Sequence, residues 1–96
     1  MFRLQAGIVA LAITRKTTMS QIEQGFGVAI RRRRHRLKLS QEDFAEKAAV
    51  HRTYISSVEL GKVSVGIGVA HRLARALGMP LSRLLHEAER ELGVRR

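Results

Sequence analysis

Apolar residues recur at helical spacing in five separate stretches of this chain. Ile22, Phe26, Ile30 and Leu37 line one side of the first. In the second, at about 100° per residue, Phe44, Ala45 and Ala48 fall together while Glu42, Asp43, Glu46 and Lys47 face away. The third repeats that phase ten residues later, with Tyr54, Ile55 and Val58 inside and Arg52, Thr53, Ser56 and Ser57 outside. Ile67, Ala70, Leu73, Ala74 and Leu77 make the fourth, and Leu81, Leu84, Leu85, Ala88 and Leu92 a broader fifth. The pattern predicts five helices around one core and no strand.

Local signals set the boundaries. Ser20 with Glu23 and Ser40 with Asp43 both have capping-box spacing, so helix one is predicted over 21–37 and helix two over 41–48. Helix three is predicted over 52–60 with His51 as its N-cap and Gly61 as its left-handed stop. Gly78 closes helix four, and Pro80 starts helix five. Residues 1–19 differ in kind: apolar in the middle, then basic and Thr-rich, they read as an N-terminal arm or a leader upstream of a true start at Met19. The domain is assigned to 20–92 and a short tail to 93–96. The longest apolar run, 4–13, falls well below the roughly 20 residues a membrane-spanning helix needs.

Ninety-six residues allow one domain. The absence of cysteine removes disulfides and thiol chemistry. No catalytic Ser, His and acid arrangement is visible, and His35, His71 and His86 lack metal-ligand spacing, so neither an enzyme nor a cofactor or metal is expected. Charge changes the picture more, because 18 Lys and Arg against 8 Asp and Glu give a formal net charge of +10. Such a chain attracts polyanions, with nucleic acid the first candidate and an anionic membrane surface the second. The run "RRRRHRLK" at 31–38 is the densest part of that charge. A helix scatters four consecutive arginines around its axis, so only about two of them can face one phosphate strand.

Helices two and three differ on their polar sides. Helix two carries solvated Glu, Asp and Lys, whereas helix three carries Ser, Thr and Arg, which suit close approach and hydrogen bonding to another molecule. The segments "SQEDFAEKAAV", "HRTYISSVELGK" and "LARALGMPLSRLL" resemble the phage-repressor and Cro family of helix-turn-helix regulators, the xenobiotic-response-element type, over about residues 22–90. The resemblance implies an all-α, compact five-helix lambda-repressor-like domain, here with an extra N-terminal arm. It also implies a cytoplasmic regulator of transcription similar to restriction-modification controllers.

In that family helix three lies in the major groove of double-stranded DNA while helix two crosses the backbone. The resemblance thus assigns base contacts to Arg52, Thr53, Ser56, Ser57 and His51, and phosphate contacts to Gln41, Lys62, Ser64 and Arg34. Arg34 and Glu59 also occupy positions that often pair in this family; a partly exposed pair would contribute about 0–1 kcal/mol. Ala49 and Lys38 stand where the family usually has glycine. The spare leucines Leu81, Leu84, Leu85 and Leu92 are assigned to a homodimer seam, which makes the expected operator near-palindromic. An antitoxin repressing its own operon with a toxin as partner, and a protein-binding adapter, are the competing readings.

Overall fold

The computed structural model describes residues 21–93. The Ser20 cap, the arm at 1–19 and all but the first residue of the tail lie outside the described residues. Among the described residues there are five helices and no strand: α1 (Gln21–Arg36), α2 (Gln41–Ala48), α3 (Arg52–Glu59), α4 (Ile67–Ala76) and α5 (Leu81–Glu91). The expected boundaries differ by one residue at three ends. Leu37 and Leu60 follow their helices as turn residues, and Pro80 is the extended N-cap of α5 rather than its first helical residue.

Local signals hold where they can be followed among the described residues. Ser40 Oγ accepts the backbone N–H of Asp43 at 2.9 Å, and Asp43 Oδ2 accepts that of Ser40 at 3.5 Å, so the capping box of α2 closes. The turn into α3 runs through Ala49, which is left-handed at φ 60° and ψ 46°. Lys38 ends α1 in the same way at φ 60°. Both are non-glycine residues in a region that costs roughly 1 kcal/mol for a side chain with a Cβ.

Phe44, Ile30, Ile55, Leu73, Leu77, Leu84 and Val58 are the largest fully buried side chains, so every helix contributes to one core. Helix α1 packs against both α5 and α3, while α2 lies on α3 and α4. Two glycines permit the double contact of α1. A Cβ on Gly27 would stand 2.3 Å from the Val58 carbonyl oxygen and 2.7 Å from that of Glu59, and one on Gly25 would stand 2.4 Å from the Ala88 oxygen. Backbone therefore meets backbone at both points, with α3 on one side of α1 and α5 on the other.

The broad leucine stripe of α5 is spent mostly inside the subunit. Leu84 is fully buried, Leu81 packs half-buried on the core, and the Leu92 side chain lies over Gly25 of α1. Of the leucines Leu81, Leu84, Leu85 and Leu92 expected at an intersubunit seam, Leu84 is thus a core residue and Leu92 lies against α1. Leu85 is the most exposed of the four, at 38%.

Candidate nucleic-acid interface

Helix α3 is short because its sequence bounds it tightly, with His51 capping its first turn and Leu60 and Gly61 turning the chain away. Its inner side is fixed by Ile55 and Val58, both buried, and by Tyr54, half-buried against the core. Its outer side holds Arg52 and Thr53, exposed, followed by Ser56 and Ser57, half-exposed. These four form one polar strip without a carboxylate, and short side chains in its second turn leave the helix backbone near the surface. Lys62 and Ser64, both exposed, continue the strip into the following loop.

His51 stands at the start of the strip in a defined orientation. The Thr53 backbone N–H donates to His51 Nδ1 at 3.1 Å, and the Thr53 hydroxyl lies 2.8 Å from the same nitrogen. Accepting that bond requires an unprotonated Nδ1, so the neutral ring carries its proton on Nε2 and offers that group as a donor. Cap and donor functions thus sit on opposite edges of one imidazole.

A buried polar cluster sets how the far end of α3 sits. Arg34 donates from Nε to Glu59 Oε2 at 2.5 Å and from Nη2 to Glu59 Oε1 at 3.0 Å, while its Nη1 donates to the Leu39 carbonyl at 2.9 Å. Gln41 Nε2 donates to Glu59 Oε1 at 3.0 Å. One carboxylate at the end of α3 is therefore held by α1 and by the first residue of α2. Arg34 is 7% exposed and Glu59 9%, so the pair lies inside the protein rather than at its edge.

Two assignments change as a result. Arg34 is not a phosphate contact in this structure, because burial and three intramolecular hydrogen bonds remove its guanidinium from any strand outside. It ties α1 to the end of α3 through Glu59. Gln41 likewise turns its side-chain amide inward to Glu59. Position alone did not distinguish the two kinds of arginine in "RRRRHR", although helical phase does: Arg34 lies seven residues, almost two turns, after Gly27, on the side of α1 that meets α3. Gly25 and Gly27, which carry that packing, were missed because their contacts are more than thirty residues away in the chain.

Of the residues expected to meet DNA, the structure brings together His51, Arg52, Thr53, Ser56 and Ser57 on α3, with Lys62 and Ser64 next in sequence. Among the described residues no group of three His, Cys, Asp or Glu side chains could hold a metal, and no helix is long and apolar enough to cross a membrane.

A family model described as helix-turn-helix matches residues 30–84. The control protein C.MunI of Mycoplasma sp is 36% identical over 74 residues, which span 76% of this chain and 100% of that protein. The restriction-modification controller protein C.AhdI from Aeromonas hydrophila is structurally similar at a TM-score of 0.63 and 32% identity, over 65% of this chain and 94% of its own. The clp gene regulator ClgR from Corynebacterium glutamicum superposes at a TM-score of 0.72 with 25% identity, over 75% of this chain and 77% of its own.

Proposed function

This chain belongs to the helix-turn-helix family of transcriptional regulators, of the phage-repressor and controller type, and on that premise we propose that it reads a near-palindromic operator as a homodimer and represses from it. The observation that carries the proposal is the outer side of α3, where an arginine, a threonine and two serines form a solvent-facing strip free of acidic groups. Arg52 forks onto guanine O6 and N7, a contact worth roughly 1–3 kcal/mol of discrimination. Thr53 offers a methyl to thymine, and Ser56 and Ser57 let the helix sit deep. His51 presents Nε2–H at the groove edge. Lys62 and Ser64 hold the DNA backbone, together with the main-chain N–H groups at the start of α2.

One α3 reads only a half-site, so two copies placed about 34 Å apart supply the affinity and register that a single short helix lacks. With Leu84 inside the core, the seam is assigned to the apolar surface around Leu85, where Ile22, 38% exposed, lies beside Phe26, Val65 and Ala70. The names of similar proteins, a control protein and a restriction-modification controller, support a regulatory role.

Selection of bound duplexes from random DNA tests this reading. The expected result is an inverted repeat whose preference at one base pair per half-site relaxes in the Arg52→Ala variant. Recovery of no enriched site overturns sequence-specific binding, and a single, unrepeated site overturns the dimer.

A further inference from the structure

We propose that the cleft between α1 and α5 is a binding site for a compact small molecule carrying several phosphates, separate from the surface that faces DNA. The cleft encloses about 470 Å³ and is lined by Arg32, Arg33, Arg36, Arg83 and Arg90. That is within the range of small-ligand sites, roughly 300–1,000 Å³. Its placement follows from helical phase. At about 100° per residue, Gly25, Ala29, Arg32 and Arg36 share the side of α1 that meets α5, whereas Gly27 and Arg34 share the side that meets α3. The cleft thus opens on the side of α1 away from α3.

The cations in it are incompletely matched. Glu91 takes Arg32 at 2.5 Å and Glu87 takes Arg83 at 3.5 Å, which accounts for both carboxylates lining the cleft. Arg33 is tethered through Nε to the Leu77 carbonyl at 3.1 Å, a bond that uses one of its donors and no carboxylate. Arg36 and Arg90 have no carboxylate partner among the described residues. Three guanidinium groups so gathered repel one another, and a multiply charged anion converts that repulsion into attraction. Planar forks match phosphate oxygens two at a time, which a lysine cluster would not.

Concavity decides between a free anion and a nucleic-acid strand. A duplex presents its phosphates along a ridge, whereas this cleft is a concave hollow between two packed helices. Arg33, Arg36 and Arg90 line the same hollow, and a chain of linked phosphates is the anion proposed to meet all three. Bound there it ties α1 to α5, and because the unfolded chain has no such site, it raises the unfolding temperature of the full chain.

The test is calorimetric titration of the full chain with sodium tripolyphosphate at about 0.15 M ionic strength, where diffuse surface attraction is screened beyond roughly 8 Å. One site per chain is expected, with dissociation constant raised about tenfold or more in Arg36→Gln/Arg90→Gln, since one charged hydrogen bond lost is about that factor. Arg36→Lys/Arg90→Lys keeps the charge without the fork and falls between. Arg72→Gln/Arg75→Gln on α4 removes the same charge elsewhere and changes binding less than about twofold, while the affinity of Arg36→Gln/Arg90→Gln for selected operator DNA stays within about threefold of the parent. Both cleft arginines are exposed, so circular dichroism should show the variants folded. Absence of a saturable site overturns the proposal. So does equal weakening in the α4 control, which assigns the effect to net charge, or a parallel loss of operator affinity, which assigns the cleft to the DNA backbone.

Discussion

Arg34 and Glu59 meet side-on across the α1 and α3 contact, Nε to Oε2 at 2.5 Å and Nη2 to Oε1 at 3.0 Å, with both side chains buried. Gln41 adds a third donor to the same carboxylate and the Leu39 carbonyl occupies another nitrogen of the arginine. A cluster this complete costs desolvation to form, yet removing one member strands the other charge without water. Glu59→Gln is therefore expected to destabilise the domain by about 3–5 kcal/mol in urea unfolding. Replacing both, as Arg34→Met/Glu59→Leu, should recover most of that loss while weakening DNA binding, because the end of α3 is no longer held at one angle. A cost below about 1 kcal/mol for the single change would instead place the pair among solvent-screened surface bridges.

Gly27→Ala should lower stability even though alanine is the better helix former by about 1 kcal/mol. A Cβ there meets the Val58 and Glu59 carbonyl oxygens at 2.3 and 2.7 Å, both backbone atoms that can move only if α3 moves. The substitution is expected to reduce operator affinity along with the melting temperature. Gly68→Ala on α4 is the matched control, since its Cβ meets nothing within 4 Å. It should raise stability by about 0.5–1 kcal/mol and leave DNA binding unchanged. Equal effects at the two glycines would show that helix propensity, not helix approach, governs position 27.

What was legible in the sequence and what was not divides along contact range. The capping box of Ser40 and Asp43 shows in its spacing and the inner positions Ile55 and Val58 in the helical period, both decided within a few residues, while the left-handed Ala49 came from the resemblance. The resemblance of 41–60 to known regulators added the pairing of Arg34 with Glu59. Its burial was not foreseen, because burial depends on Gly27 letting two backbones touch, and that contact spans thirty-one residues or more. The same reason explains the leucine stripe. An apolar face on α5 reads identically whether a second subunit or α1 covers it, and the burial of Leu84 and the place of Leu92 over Gly25 emerge only from the packing.

His51 and Ala49 make the turn before α3 a place where single changes act with opposite sign. His51→Ala removes the acceptor for the Thr53 N–H and should cost about 1 kcal/mol, while His51→Asn supplies another acceptor and retains most of it. Ala49→Gly relieves a side chain held at φ 60°, partly offset by the greater freedom of glycine in the unfolded chain, and should gain up to about 1 kcal/mol. Thermal unfolding of the three variants checks both signs. If His51→Asn restores stability but not operator affinity, the Nε2 edge is a DNA contact as well as a cap partner.

Lys62 and Arg52 should separate strength from choice. Both are exposed at the interface, but Lys62 lies past the end of α3 and Arg52 in its first turn. A lysine on a phosphate releases about one counterion on binding and carries no sequence information. Lys62→Ala should therefore weaken specific and random DNA alike and reduce the slope of log affinity against log salt by about 1. Arg52→Ala should instead leave random-sequence affinity nearly unchanged and reduce preference for one base pair per half-site by roughly 1–3 kcal/mol. Titrations of operator and scrambled duplexes at several salt concentrations distinguish the two patterns. An Arg52→Ala variant that loses both affinities equally would move this residue to the backbone and leave Thr53, Ser56 and Ser57 as the readers.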